Sequence, residues 1–176
     1  MQFEPTEIPD VVLIRPKVFG DPRGYFFESW EERKFAAAGL GAKFVQDNHS
    51  RSARNILRGL HYQIQQPQGK LVRVVTGSVF DVAVDIRRSS PTFGRWVGAT
   101  LTEENHHMLW VPPGFAHGFI TQSDGAEVYY MISVPHSPSH AQGFRWSDPA
   151  FGIQWPLSPS VISPRDAAYP LLKPPA

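Results

Sequence analysis

A histidine and a lysine on two neighbouring apolar segments are the residues of this chain best suited to acid–base chemistry. His61 lies in Arg-Gly-Leu-His-Tyr-Gln (58–63), and Lys70 opens Lys-Leu-Val-Arg-Val-Val (70–75). The turn-forming residues between them predict a β-hairpin that carries both side chains into one cavity. A neutral imidazole can accept a proton there, and an ammonium stabilises the negative charge left behind. The pair therefore indicates acid–base chemistry on a carbonyl compound.

A second histidine, His117, follows a Pro-Pro-Gly turn. The segment Pro-Gly-Phe-Ala-His (113–117) resembles the second sequence motif of the cupin superfamily, whose histidine often binds a metal. A metal-binding cupin carries His-x-His and a later glutamate in its first motif, whereas this chain has His-Tyr-Gln (61–63) and no glutamate before Lys70. One imidazole beside an ammonium is a poor metal site. We therefore expect no metal, and His117 is either a polar group at the cavity mouth or a packed turn residue.

Two further kinds of residue could complete an acid–base site. Tyr129 and Tyr130 are adjacent in a predicted strand, so only one of them can face the cavity. A tyrosine hydroxyl is a suitable proton donor to a carbanion. A carboxylate partner would fix the tautomer of His61 and raise its basicity. No local pattern locates this carboxylate, because Asp166 in Ser-Pro-Arg-Asp (163–166) has the pattern of a turn residue.

Arginines and aromatic residues indicate where a phosphorylated ligand could bind. Guanidinium groups bind phosphate through two hydrogen bonds, and a ring such as that of Phe26 can stack on a base. Solvated surface charge is an equally good interpretation of these arginines alone. The candidates are Arg23, Arg51, Arg54, Arg58 and Arg73.

Composition excludes several classes of protein. The chain has 176 residues, a net charge of +1 and no cysteine. It is long enough for one core-forming domain, and its charge gives no reason to expect a nucleic-acid or membrane partner. We see no signal peptide and no apolar run near the ~20 residues of a membrane span. Zero cysteines agree with a reducing compartment. We therefore expect a soluble cytoplasmic protein.

The apolar pattern predicts an all-β fold. Seventeen prolines and 14 glycines suit short strands joined by tight turns. Segment 78–87 alternates most clearly, with apolar side chains at 80, 82, 84 and 86, and Gly77 predicts a hairpin with the strand before it. We expect one helix, at 31–38, and proline-rich loops from 135 onward that wrap the sheets. The predicted strands are 11–15, 44–50, 57–63, 71–76, 78–87, 95–101, 107–111, 118–121 and 127–133. Their spacing indicates an antiparallel sandwich or barrel.

Several motifs in one order resemble the dTDP-4-dehydrorhamnose 3,5-epimerase family. They are the segments 46–50, 58–63, 68–74, 80–85, 90–94, 113–119 and 148–153, and the resemblance covers about residues 3–166. It implies a cupin jelly-roll β-sandwich or barrel with a few short helices, a single domain over 1–176 with a tail from about 170, a homodimer, and no metal or organic cofactor. The substrate it implies is dTDP-4-dehydro-6-deoxyglucose, and the product is dTDP-4-dehydro-L-rhamnose.

The resemblance also implies a role for individual residues. His61 matches the base, Asp166 its carboxylate partner, Lys70 the group that stabilises the enolate, and Tyr130 the opposing acid. The positions that match nucleotide and sugar binding are Arg23, Phe26, Glu28, Gln46, Asn48, Arg58 and His117.

Differences from the family pattern lie where the nucleotide or the second sugar face would be contacted. Met131, His136 and Ala141 replace residues that are commonly lysine, tyrosine and glutamate, and Arg165 replaces a lysine. Three alternatives stay open: an epimerase of one carbon only, a ketoisomerase of the same fold, and a jelly-roll module that binds sugar nucleotides without turnover.

Overall fold

The computed structural model describes residues 1–173, which form two stacked antiparallel sheets with short helices outside them. The strands are β1 (Gln2–Pro5), β2 (Val12–Arg15), β3 (Val18–Asp21), β4 (Gly24–Phe27), β5 (Gln46–Ala53), β6 (Leu57–Gln63), β7 (Lys70–Thr76), β8 (Ser78–Asp85), β9 (Trp96–Thr102), β10 (Met108–Val111), β11 (Phe115–Thr121), β12 (Gly125–Ile132) and β13 (Ala141–Gly143). The helices are α1 (Glu32–Ala37) and α2 (Pro164–Ala167).

Two sheets form a jelly-roll sandwich of the cupin type. The six-stranded sheet has the order β1-β2-β10-β7-β12-β5, and the five-stranded sheet has the order β13-β6-β11-β8-β9. Strands β3 and β4 pair only with each other, as a hairpin outside both sheets. The predicted all-β sandwich is therefore confirmed.

The core has an inner layer and two outer layers. Between the sheets, buried aliphatic residues such as Val72, Val79 and Leu109 pack together. Phe35 of α1 packs on the outer face of the six-stranded sheet. Phe151 and its neighbours cover the outer face of the five-stranded sheet, where they meet the apolar face of β8, including Val82. Because the space between the sheets is shielded from water, polar side chains inside the sandwich need partners within the protein.

Two predicted hairpins are wrong. β6 and β7 belong to different sheets, and so do β7 and β8. Gly77, with φ +78°, is the point where the chain crosses from one sheet to the other. A Cβ there would lie 2.1 Å from the carbonyl oxygen of Gly125, so the crossing needs glycine for space as well as for φ. His61 and Lys70 consequently lie on opposite walls of the sandwich rather than on one hairpin.

The loops and helices agree with the sequence only in part. Helix α1 begins after the cap Glu31, as expected, but α2 and the strands β1, β3, β4 and β13 were not predicted. Proline-rich loops wrap the sheet beyond 135, as predicted, and the carbonyl of Pro170 accepts from the N–H of Arg145. The predicted tail from about 170 includes 174–176, which lie outside the described residues. Within residues 1–173 no helix is long and apolar enough to cross a membrane.

Candidate active site

The imidazole of His61 is paired with a carboxylate from the far end of the chain. Its Nε2 lies 2.8 Å from Oδ1 of Asp166, and the backbone N–H of Gly59 donates to Oδ2 of Asp166 at 3.1 Å. Helix α2 holds Asp166 in place, since the hydroxyl of its cap Ser163 accepts from the N–H of Asp166. Burial acts to raise the pKa of Asp166, but the hydrogen bonds from His61 and Gly59 outweigh it and hold that pKa below its usual range. The carboxylate therefore stays ionised beside the imidazole.

The surroundings of His61 favour the neutral form of its imidazole. Burial lowers its pKa below the ordinary histidine value, with Asp166 acting in the opposite direction and the charge of Lys70 adding to the lowering. The ring is consequently neutral at pH 7 and can accept a proton. The ionised Asp166 then stabilises the imidazolium that forms.

A bulge in β6 explains how Arg58 and His61 reach the same cavity. Regular alternation would place residues 58 and 61 on opposite faces. Against β11, His61 pairs with His117 while Arg58 pairs with Phe119, so β6 carries one extra residue between these pairs. Gly59 lies at the bulge with φ +125°, and a Cβ there would meet the backbone of the neighbouring strand. The bulge turns Arg58 inward.

The cavity lies between the sheets, has a volume of about 290 Å³ and is lined by both of them. Its mouth is edged by residues from the C-terminal segment. Of the residues predicted from the sequence, it is lined by Gln46, Asn48, Arg58, His61, Lys70, His117 and Tyr130. Asp166 lies behind His61. Positively charged side chains lie in the cavity and carboxylates lie behind it, which suits an anionic ligand.

Lys70 supplies a buried positive charge on the wall opposite His61. The side chain is only 7% exposed and opens β7. Burial lowers its pKa to about 8, and the carboxylate of Asp81 acts against this shift. At neutral pH the ammonium is therefore largely retained in a place of low polarity, where its effect on a nearby oxyanion is strong.

The two adjacent tyrosines point to opposite sides of the six-stranded sheet. Tyr130 lines the cavity, and burial raises the pKa of its hydroxyl. Tyr129 points outward, where its hydroxyl donates to Asp47 at 2.7 Å and its ring lies under Arg73. Tyr130 is thus the tyrosine of the two that faces the cavity.

His117 belongs to a second buried imidazole–carboxylate pair. Its Nε2 lies 3.0 Å and 2.9 Å from the two oxygens of Asp81. Asp81 is fully buried on the inner face of β8. His117 also faces His61 across the β6–β11 pair. It is a cavity residue rather than a turn residue.

Polar residues of β5 and β6 form the side of the cavity next to Tyr130. Asn48 accepts a hydrogen bond from the side chain of Gln46 at 2.9 Å. Arg58 donates from Nε to the hydroxyl of Ser52 at 2.9 Å and from one terminal nitrogen to the carbonyl of Arg51. These contacts fix amide and guanidinium groups that can bind a sugar or a phosphate.

Three predicted binding residues lie outside this cavity in the single chain. Arg23 and Phe26 belong to the β3–β4 hairpin, and Glu28 follows it. Arg23 pairs with Asp21 at 2.6 Å, and Glu28 pairs with Lys34 at 2.7 Å. None of the three lines the cavity as the described chain forms it. The structure thus does not bring them to His61.

Several cavity residues were not predicted to bind. Tyr169 packs its ring edge against His61, with the ring centroids 5.9 Å apart. Residue 143 is glycine, and a Cβ at this position would clash with the ring of Tyr169. Ala141 also lines the cavity, as do His136 and Arg165, whereas Met131 packs on the outer face of the sheet. Tyr169 could not be identified from sequence because it follows a short proline-started helix with no strand pattern to orient it.

The residues that line the cavity, and residues 1–173 as a whole, do not form a metal site. Within residues 1–173 no group of three or more histidine, aspartate or glutamate side chains is placed to hold an ion. The imidazoles of His61 and His117 each already meet a carboxylate, and Lys70 shares their cavity. Independence of metal stays a prediction for solution experiments.

A cupin-type sandwich that holds an imidazole–carboxylate pair, a buried ammonium and a phenol in one cavity fits the class of acid–base isomerases. The family described as dTDP-4-dehydrorhamnose 3,5-epimerase matches this chain over residues 5–174. The chain belongs to the dTDP-4-dehydrorhamnose 3,5-epimerase family. The predicted enzyme class, an epimerase, is thereby confirmed.

Individual relatives agree with this assignment. A dTDP-4-dehydrorhamnose 3,5-epimerase from Pseudomonas aeruginosa is 56% identical over 161 residues, which cover 90% of this chain and 89% of the relative. The crystal structure of a dTDP-6-deoxy-D-glucose-3,5-epimerase from Legionella pneumophila in complex with dTDP-4-keto-L-rhamnose matches with a TM-score of 0.94. It is 47% identical and covers 97% of this chain and 92% of its own. A 3′-monoepimerase from Streptomyces bikiniensis, solved with dTDP-quinovose, has a TM-score of 0.89 at 32% identity, over 96% of this chain and 86% of its own.

Proposed function

We propose that the protein converts dTDP-4-dehydro-6-deoxyglucose to dTDP-4-dehydro-L-rhamnose by inverting C3 and C5. The observation that carries this proposal is the placement of His61 and Tyr130 on strands of different sheets that line one cavity. Inversion of a carbon needs a base on one face and a proton donor on the other. A substrate held between the two sheets meets one of these groups on each face.

The reaction uses the sugar's own ketone as the electron sink. Neutral His61 takes the proton from the carbon next to C4, and the electron pair of the broken C–H bond moves to form the enolate. Lys70 stabilises the negative charge that develops on the C4 oxygen. Tyr130 then gives its proton to the opposite face of the carbon, the C4 carbonyl reforms, and exchange with water restores both side chains. No cofactor is required for this sequence.

The ionised carboxylate of Asp166 behind the cavity prepares His61 for this task. Asp166 is 3% exposed and accepts from both the imidazole and a backbone N–H, so it cannot turn away from the ring. It therefore fixes one ring nitrogen and leaves the other free for the substrate. Asp166 is accordingly proposed to orient the base and to stabilise its protonated form.

The nucleotide is proposed to bind beyond the sugar, next to Arg58. Gln46 and Asn48, on β5 of the other sheet, line the same cavity and offer amide groups. Arg23, Phe26 and Glu28 are proposed to complete the nucleotide site, but in the single chain they lie on or next to the hairpin, away from the cavity. A second copy of the chain could bring them there.

We propose a homodimer for this reason. The β3–β4 hairpin exposes large apolar side chains, among them Phe19 at 53%, Tyr25 at 62% and Phe26 at 69%. Exposed apolar residues on a projecting hairpin are typical of a contact surface. Strands β1 and β5 also end the six-stranded sheet as edges, which an exchanged strand could cover. Light scattering at micromolar concentration should give twice the chain mass of 19.8 kDa, whereas a monomeric mass contradicts the dimer.

The decisive experiment is proton NMR of the purified protein with dTDP-4-dehydro-6-deoxyglucose in deuterium oxide. Deuterium entry at C3 and C5, followed by signals of the L-rhamno product, supports the proposal. Exchange and inversion at C3 alone favour a monoepimerase, the activity of the Streptomyces relative. Binding without any exchange indicates a binding module, and movement of the ketone indicates a ketoisomerase. Heat-denatured protein is the control for spontaneous exchange.

The remaining partners and the location are proposals as well. The chain is expected to work without nucleic acid or membrane, since its net charge is only +1. A cytoplasmic location fits a chain with no cysteine.

A further inference from the structure

Tyr169 lies in a C-terminal segment that is anchored on both sides of it. Before it comes helix α2, whose N-terminus is capped by a side chain. After it, the carbonyl of Pro170 accepts from the N–H of Arg145 at 3.0 Å, and the N–H of Leu172 donates to the buried carboxylate of Asp148. The backbone at Tyr169 is therefore held in place from both directions.

The ring of Tyr169 rests on the backbone of β13 beside the imidazole of His61. In the register of β6 and β13, Gly143 is the partner of His61. A Cβ at Gly143 would lie 2.3 Å from Cε2 of Tyr169 and 2.6 Å from the carbonyl oxygen of Leu60. The centroids of the two rings are 5.9 Å apart and their planes are inclined by 73°, which is an edge-to-face contact. Glycine at position 143 thus leaves the room that the phenol needs to reach His61.

Tyr169 brings an uncharged ring to a site rich in charge. Burial raises the pKa of its hydroxyl, so the phenol is neutral at pH 7. The side chain of His61 is 31% exposed, so its shielding from water depends on the side chains at the mouth of the cavity. The titratable groups of the elements around His61 are Arg58 and Tyr62 of β6, Lys70 of β7, His117 of β11, Tyr130 of β12, Arg165 and Asp166 of α2, and Tyr169 itself, while β13 carries none.

We propose that Tyr169 is a positioning residue of the epimerase, whose ring holds the imidazole of His61 in its orientation towards Asp166 and shields it from water. Three observations support this role. The segment is anchored on both sides of Tyr169, the ring contacts the imidazole edge to face, and residue 143 is a glycine where any side chain would displace the ring. The effect on turnover rests on the proposed epimerase reaction, whereas the contact between the rings does not.

The first test needs no substrate and no variant at Tyr169. In the parent protein with isotope-labelled histidine and tyrosine, nuclear Overhauser contacts should join the ring protons of Tyr169 to the carbon-bound protons of the His61 imidazole. The signals of His61 are identified by their loss in His61→Asn. Absence of these contacts at neutral pH overturns the proposal, whether or not the protein is an epimerase.

The second test follows the titration of His61 by NMR in Tyr169→Ala, again without substrate. Burial is the largest cause of the lowered pKa of His61. Loss of the ring admits water, so the imidazole should titrate at higher pH, towards the ordinary value for histidine. Tyr169→Phe retains the ring and should titrate as the parent does. An unmoved titration in Tyr169→Ala overturns the proposal.

Leu172→Ala is the matched control, because it removes an apolar side chain from the same segment without removing the ring. Leu172 packs with the residues around Phe151 on the outer face of the five-stranded sheet. This variant should lower Tm and leave the titration of His61 in place. If it moves the titration as far as Tyr169→Ala does, general loosening of the segment is the cause and the role assigned to Tyr169 is wrong.

Kinetics of the same variants connect the contact to turnover. In Tyr169→Ala, kcat at neutral pH should fall about tenfold to a hundredfold, and the acid limb of the kcat–pH profile should move to higher pH. The affinity for dTDP, measured by calorimetry, should stay within a few-fold of the parent value. A lower kcat with an unmoved acid limb overturns the proposal. Absence of turnover in the parent protein itself contradicts the proposed reaction, and the substrate-free NMR measurements then decide on the contact alone.

Discussion

Replacing Tyr130 by phenylalanine should separate proton removal from inversion. The ring remains to fill its place in the cavity wall, but the hydroxyl on the side opposite His61 is gone. His61 can still form the enolate beside Lys70 and can return a proton only to the face from which it came. The variant should therefore take up deuterium with retained configuration much faster than it makes inverted product.

The magnitude follows from the loss of one positioned proton donor. Such a group contributes about a hundredfold to ten-thousandfold, which corresponds to about 3–5.5 kcal/mol of transition-state free energy. Burial raises the pKa of Tyr130, so in the parent enzyme the hydroxyl is protonated at neutral pH and available. The ratio of exchange to inversion should rise by this factor, and dTDP affinity should stay within a few-fold.

Tyr129→Phe is the control, because Tyr129 lies on the same strand and faces outward. Its hydroxyl donates to Asp47 in an exposed contact, whose loss typically costs about 0.5–1.5 kcal/mol of stability and no activity. The assay is proton NMR in deuterium oxide, which follows deuterium content and product configuration together. Doubly inverted product at the parent rate from Tyr130→Phe would show that Tyr130 is a packing residue and that water or another group is the acid.

Three further predictions test the rest of the site. In His61→Asn, the rate of deuterium exchange at both carbons should fall about a hundredfold to ten-thousandfold. The affinity for dTDP, measured by calorimetry, should stay within a few-fold of the parent value. Near-parental deuterium uptake would reject His61 as the base. On the acid side, kcat should fall at a pH below the ordinary pKa of histidine, because burial lowers the pKa of His61. On the alkaline side, kcat should fall near pH 8, where Lys70 loses its proton. If kcat stays constant to well above pH 8, Lys70 has no part in the mechanism. Dialysis against a chelator should leave turnover unchanged, and a loss restored by zinc, manganese or nickel would revive the metal-binding interpretation.

Local patterns in the sequence predict which side chains share a face but not which sheet a strand joins. Alternation along β8 correctly separates Val82 from Asp81. Alternation does not say which of the two faces points inward, and the face of Asp81, with Val79 and Ala83, lies inside the sandwich. The reason is that the loops around Phe151 cover the apolar face of β8 from outside. Coverage of both faces depends on residues about 70 positions away, and no window around β8 contains that information.

The same limit explains the errors at the turns. Gly77 is correctly identified as a point where the chain changes direction, yet a tight turn and a crossing between sheets have similar local patterns. The bulge at Gly59 is likewise invisible to strict alternation, although it decides that Arg58 faces the cavity. Asp166 was matched to His61 only through the family resemblance, because the two residues are 105 positions apart and meet through the path of the C-terminal segment.

The error about the hairpin bears directly on the chemistry. Had β6 and β7 formed a hairpin, His61 and Lys70 would lie on one wall, and a flat sugar on that wall would meet every polar group from one side. Stacked sheets instead lie roughly 10 Å apart, which leaves room for one sugar ring between side chains that reach in from both sheets. His61 comes from the five-stranded sheet, and Tyr130 and Lys70 come from the six-stranded sheet. In the proposed reaction, a base and an acid on the same sheet would return the proton with retention, whereas His61 and Tyr130 on opposite sheets can act on opposite faces of the sugar ring.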